Sequence, residues 1–433
     1  MKYIAYVIVF ATVLCLYSWM IFHVSTGGQA LNGIKKPLIK FASFPQKVEE
    51  IFNSPEVNNI PVTYTPIEPN FTPINELNYD LFGLTSFWND AEKQWDIKMI
   101  NFKNDSVLYQ WQFAKKDYDP YYIHFANSPP RHMLLLPNKE VVGRLSMSPH
   151  LFRIDSNSNF IWLNKELEYH HSLNLDAAGN IWVVASDVYK EKSDIQKYTG
   201  GLVKNLDGQL ISYREDYLVN IDINAGQILF KKGIGKILLE NDQKGILYGA
   251  DIYDPSHVND IQPALSDTKF WQKDDLFVSL RSRSLLLIYR PSTNKIIKII
   301  QGPFISQHDV DILSDHEISI FNNNYISYPG KIYETPYMEM DSLNSSQVVV
   351  YDFEADSFYV LNQKIFEKYK IRTYYQGLSQ ILRNGDIFVE EHHSGEYYIV
   401  NDTGVVLKKV FETPLEGYVH YPNWIRLYED RPF

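Results

Sequence analysis

Cysteine is nearly absent from this 433-residue chain: Cys15 stands alone. That excludes an intramolecular disulfide, a cysteine-held zinc site and a catalytic thiol elsewhere in the protein. Leu14 precedes it where a lipidation site expects a small residue. Basic excess is absent too. The 41 Lys and Arg are outnumbered by 52 Asp and Glu, a net charge of −11, so a nucleic-acid partner has no support. No P-loop is present, and no cluster of calcium ligands. Helical periodicity is missing from the body of the chain, where no segment longer than about ten residues keeps it. Long apolar runs are missing as well, with one exception.

The exception is IAYVIVFATVLCLYSWMIF, residues 4–22, which holds no charge, proline or glycine. It is long enough to span a bilayer as a helix, and it lacks the short core and small-residue cleavage site of a signal peptide. Residues 1–24 are therefore expected to be a membrane-spanning signal-anchor. Lys2 precedes the run while Lys35, Lys36 and Lys40 follow it, a weak lean towards a cytoplasmic body. Residues 25–75, with Pro37, Pro45, Pro55, Pro61, Pro66, Pro69 and Pro73, look like a stalk or N-terminal extension.

From residue 76 to the end the chain alternates strand and turn. Aromatic residues make up 15% of it, with 31 Tyr and 24 Phe, and these suit strands. One kind of hairpin recurs as IKMINFKNDSVLYQW from 97, FRIDSNSNFIWL from 152, VNIDINAGQILF from 219, LIYRPSTNKIIKI from 287, VVYDFEADSFYVL from 349 and YYIVNDTGVVLKK from 397. The turns hold Gly, Asn, Asp and Ser, as hairpins require. A second kind falls between: LLLPNKEVVGRL (134–145), LNLDAAGNIWVV (173–184), DILSDHEISIF (311–321) and QILRNGDIFVE (380–390). Two hairpins per repeat, repeated around the chain, predict an all-β, six-bladed β-propeller of four-stranded blades over 76–433. A pair of irregular β-sandwiches is the alternative.

His171 and His308 open the second kind of hairpin in the same frame, and His257, in SHVNDIQPAL, fits the same opening. If that hairpin lines the channel, the three histidines converge from separate blades. Arg281 ends the strand 276–281 beside them. Each residue also has a plain structural reading: a histidine satisfied at a strand start, Arg281 packed at a surface, Asn259 capping a turn. His170 is expected to point away, and Asp309 either to orient an imidazole or to hold backbone.

The stretches HHSLNLDAAGNIWV, SHVNDIQP, LFVSLRSRSLLLIY and SQHDVDIL together resemble the arylsulfotransferase family, PAPS-independent enzymes built on a six-bladed propeller. The likeness spans roughly residues 78–430. It implies that His308 is the nucleophile accepting the sulfuryl group, that His257, Asn259 and Arg281 surround the sulfate, and that His171 completes the site. It also implies an aryl sulfate donor, a phenolic or other hydroxyl acceptor, no cofactor or metal, and a body in the periplasm of a bacterial inner-membrane protein, against the lysine signal. The chain departs from the family at the turn Ser314-Asp315-His316-Glu317, where a Gly turn is usual, at the ending Asn322-Asn323 in place of Asp-Asn, and by an insertion at 325–347.

The residue types suit the chemistry. Sulfuryl transfer, like phosphoryl transfer, goes through a loose transition state that rewards positioning and charge. A neutral imidazole is a ready nucleophile, and Arg281 offers a permanent fork for sulfate oxygens. A non-catalytic propeller that binds a small anion, glycan or protein in its channel is the competing reading. A quinone-cofactor dehydrogenase is a weaker one, lacking a cysteine pair and calcium ligands.

Overall fold

The computed structural model describes residues 63–114, 128–146, 148–189, 213–247, 254–325 and 345–433, with part of 6–20. Pro61–Gly201 and Ser212–Phe433 make one compact unit, an all-β propeller. Its first blade holds Phe82–Asn89, Gln94–Asn101 and Ser106–Ala114, completed on the inside by Arg426–Tyr428. The second runs Pro130–Leu136, Glu140–Leu145, Leu151–Ile154 and Phe160–Asn164, and the third Glu168–Leu175, Ile181–Tyr189, Tyr213–Ile221 and Ile228–Gly233. The fourth contains Val258–Pro263, Leu276–Leu280, Leu285–Arg290 and Lys295–Ile300; the fifth contains His308–Ile312, Glu317–Asn322, Gln347–Asp352 and Ser357–Leu361.

The expectation of six four-stranded blades needs correcting, because among the described residues five sheets have four strands. The remaining sheet has seven: Leu378–Ile381, Ile387–Glu391, Glu396–Val400 and Val405–Glu412, extended by Tyr418–His420, Tyr64–Pro66 and Ile74–Asn75. The added strands are two or three residues long, too short to leave an alternating pattern in the sequence. Two of them come from the end of the segment read as a stalk, of which residues 25–62 lie outside the described residues.

The hairpin repeat maps onto this plan directly. All six hairpins of the first kind join the third and fourth strands of a sheet, and the four of the second kind join the first and second. Apolar faces of neighbouring sheets meet in layers. Leu173, Val183 and Val219 pack with Leu151 between the second and third blades, and Phe277, Ile288, Val310 and Val349 pack between the fourth and fifth. Aromatic residues thicken the layers, as where Phe102 lies 5.0 Å from Tyr397 and Tyr397 stacks 4.6 Å from Phe411.

Each innermost strand starts irregularly. Register shifts fall at Arg131/Leu134, His170/Leu173, Val258/Asp260 and His308/Val310. His132, His171, His257, Asp309, Gln376 and Trp424 there adopt positive φ, between 43° and 58°. Such bulges re-aim side chains, here towards the axis. Hydrogen bonds then tie each start to the next. His132 Nδ1 accepts from Leu173 N at 2.9 Å, Ser172 Oγ from Ile261 N at 3.1 Å, Asp260 from Val310 N at 2.7 Å and Asp309 from Ser379 N at 3.0 Å. Glu390 accepts from Trp424 N and Ile425 N, and Asn423 O from His132 N, which closes the ring.

The membrane-spanning helix expected over 4–22 lies partly outside the described residues. Those of its residues that are described are helical, with Phe10, Leu16 and Trp19 exposed. Among the described residues no helix is long and apolar enough to cross a membrane. Most of the 325–347 insertion is also outside them.

Candidate active site

The bulged strand starts bring the three histidines together. The ring of His171 lies 5.1 Å from that of His257 and 6.0 Å from that of His308. Trp424, from the far end of the chain, closes a side of the cluster, 5.6 Å from His171 and 6.3 Å from His308.

His308 is buried and its ring is fixed from both sides. Nδ1 lies 2.6 Å from Asn323 Oδ1 and 3.2 Å from Ser306 O, both acceptors. Asn323 is itself oriented, because its amide nitrogen donates to Thr373 O at 3.0 Å and Gln376 O at 2.8 Å. The proton therefore sits on Nδ1, and Nε2 keeps its lone pair, towards which Gln376 N–H points at 3.3 Å. Gly377 makes that approach possible: at φ +81° it holds a turn in which a Cβ would fall 2.9 Å from Glu390 O. Burial, and then the nearby Arg281 charge, hold His308 well below the usual histidine range.

His257 is paired through Nδ1 with Asp254 Oδ2 at 2.5 Å, so its Nε2 is free to face the cluster. His171 is depressed well below the ordinary histidine range by burial and by its histidine neighbours. His170 does not point away as expected. Its Nδ1 is 2.6 Å from His171 Nδ1, and its Nε2 faces buried Asp216 at 3.4 Å. Although burial pushes Asp216 up, its contacts with His170 and Arg214 bring it down to about 2, so it stays charged beneath the histidines.

Arg281 sits in a one-turn 3-10 segment that follows its strand, and its Nε is buried with no hydrogen-bond partner. Asn259 is fully buried; its amide nitrogen donates to Gln307 O at 2.7 Å, bracing the residue before His308. Asp309 holds backbone, as the sequence suggested.

Further charged groups that the sequence did not single out border the cluster. Arg131 and Arg144 stand directly opposite one another on the first two strands of the second blade. Arg131 Nη1 donates to Gln376 Oε1 at 2.5 Å and Arg144 Nε to His171 O at 2.6 Å. Tyr375, His392 and Tyr421 line the neighbouring side, with His392 stacked 5.0 Å from Tyr421. Asp254 and Asn323 were also missed as partners, although Asp254 stands three residues before His257 and Asn323 directly follows the strand paired with His308. Among the described residues one group has metal-ligand spacing, His316, Glu317 and Asp352, with ligand atoms within 4.8 Å. It sits at the opposite end of the fifth blade's inner strands from His308.

A model of one protein family, described as Arylsulfotransferase (ASST), matches residues 132–411, a span that contains every histidine of the cluster together with Arg281, Asn259 and Asn323. None of the curated proteins matches. Among solved structures, a protein of unknown function from Bacteroides caccae aligns with a TM-score of 0.48 at 11% identity, over 83% of this chain and 100% of that one. Virginiamycin B lyase from Staphylococcus aureus aligns at 0.35 and 8%, over 66% and 71%. The Dos1 propeller aligns at 0.38 and 10%, over 81% and 75%.

Proposed function

The chain belongs to the arylsulfotransferase family, and from that premise we propose that it moves a sulfuryl group from an aryl sulfate ester to a phenolic or other hydroxyl acceptor, by way of a sulfohistidine at His308. The observation that carries this reading is the fixed His308 ring, with Nδ1–H on Asn323 and an unprotonated Nε2, approached only by Gln376 N–H at 3.3 Å among the described residues, beside His171, His257 and Arg281.

In the first half, His308 Nε2 forms a bond to sulfur as the sulfur–aryloxide bond breaks. Arg281 and His171 bind the sulfate oxygens, and His257 protonates the departing oxygen. The acceptor then enters and His257 takes back the proton. The acceptor oxygen bonds to sulfur, the nitrogen–sulfur bond breaks, and His308 is regenerated. Splitting one transfer into two substitutes two lower barriers for a high one. Asn259 contributes by fixing Gln307 and so the backbone that presents His308. Asp254 keeps the His257 ring aligned, as a carboxylate partner does for a catalytic imidazole. No cofactor or metal enters these steps.

In this reading the seven-stranded sheet is the sixth blade of the propeller, with added outer strands. Residues 4–22 are a single-pass anchor in a bacterial inner membrane, 25–75 an extension, and 76–433 the propeller, facing the periplasm. The uncharged run and its exposed apolar side chains support the anchor.

Mass spectrometry tests the intermediate. After brief exposure to 4-nitrophenyl sulfate without acceptor and a neutral-to-alkaline quench, one sulfuryl group is expected on the peptide that contains His308. Continued nitrophenol release with that peptide unmodified, or with the group on another residue, contradicts the scheme.

A further inference from the structure

Arg131 and Arg144 are left over by this chemistry, and their placement is costly. They are Cα partners across an antiparallel pair, so both side chains leave the same face of the sheet. Like charges directly opposite on a sheet destabilise it. Arg144 is only 3% exposed. Neither guanidinium forms an ion pair among the described residues. Arg131 has the amide of Gln376 as its partner and leaves Nε buried without one, and Arg144 has a backbone carbonyl. Glu390 is the carboxylate whose charge reaches Arg131, but its two oxygens are occupied by Trp424 N and Ile425 N. Burial lowers both groups, Arg131 to about 10 and Arg144 well below the ordinary arginine range, the latter also through repulsion from Arg131. Two adjacent cations, neither of them in an ion pair among the described residues, call for an anion.

The pair also adjoins the reacting centre. Arg131 reaches Gln376, whose N–H faces His308 Nε2, and Arg144 holds the carbonyl of His171. Arg281 lies by His308 and Asp254, and the transferring sulfate claims it. We propose that Arg131 and Arg144 form a second anion subsite, which binds a carboxylate or other acidic group carried by the substrate in addition to its sulfate ester or hydroxyl. The preferred substrate is then an aromatic acid, with its ring beside Tyr375 and His392. This inference rests on the sulfuryl-transfer reading for what the substrate does, but not for the existence of the subsite.

Two measurements on the full chain separate those parts. Benzoate, titrated calorimetrically, should bind the wild type and Arg281→Gln but not Arg131→Gln, while benzamide binds none of them. In turnover, 3-carboxy-4-nitrophenyl sulfate should exceed 4-nitrophenyl sulfate in kcat/KM by roughly tenfold or more, and Arg144→Gln should reduce that ratio to near one. Without any anion, Arg131→Gln should melt at or above the wild-type temperature, because it relieves a like-charge pair. A purely structural arginine would instead give a lower midpoint on removal. Benzoate binding that survives Arg131→Gln, or equal use of the two donors, overturns the subsite and leaves the transferase reading intact. Benzoate binding lost only in Arg131→Gln, with no turnover of either donor, keeps the subsite and overturns the transferase reading.

Discussion

A histidine in water near pH 7 is divided between charged and neutral forms. His308 is not, since burial and the Arg281 charge penalise the imidazolium more than Asn323 favours it. The sign for catalysis follows. The nucleophile needs the neutral ring, which persists as pH falls until the lowered folded-state value is reached. The acid limb of the sulfuryl-loading rate should therefore lie clearly below pH 6.5, measured by stopped-flow release of nitrophenolate with its absorbance corrected for protonation. A limb at or above 6.5 assigned to His308 would contradict the environment described. The sequence displayed the histidines, because a repeated hairpin marks the same strand start in each blade. It did not display Asn323, Gln376, Asp254 or Arg131 as partners. Those arrive from second strands, loops and neighbouring blades, where no period points to them.

At the scale of the element, the bulged strand start is the device that turns an ordinary propeller strand towards the axis. Both hairpin families were legible in the sequence, because alternation and turn residues are local properties. The bulges were not, since the residues at positive φ are His, Asp, Gln and Trp rather than the glycine that would have announced them. Nor were the short strands added to the seven-stranded sheet. The ring of side-chain acceptors should make each start sensitive. Ser172 is fully buried and its hydroxyl accepts from Ile261 N. Ser172→Ala removes little volume but strands a buried N–H, so it should cost about 1–3 kcal/mol in urea unfolding. No loss would mean that this ring contributes little to joining the blades.

At the scale of the molecule, closure depends on the two ends of the propeller meeting, with Arg426–Tyr428 pairing to Phe82–Asn89 and Arg426 reaching the axis. There Asp260, Asp309 and Asp311 share the field of one guanidinium. Burial first, and then Asp260, raise Asp311 to about 7. Between the unfolded carboxylate value and that point, the folded chain holds a proton that the unfolded chain releases. This contribution favours folding in acid and is lost as pH rises through 7. Asp311→Asn should consequently melt higher than the wild type at about pH 8, with the difference shrinking towards about pH 4. A variant that is less stable at the alkaline end would show that the carboxylate is needed as a charge partner of Arg426.

A pre-steady-state burst tests whether the distant blades converge on one nucleophile. The full chain would be mixed with excess 4-nitrophenyl sulfate and no acceptor, beside His308→Ala. A burst of nitrophenolate close to one per protein is expected, abolished in the variant, with slow release afterwards until a phenol is added. No burst and no turnover with phenols present, from protein whose fold is intact by circular dichroism, would contradict the sulfuryl-transfer reading and leave the channel as an anion-binding site.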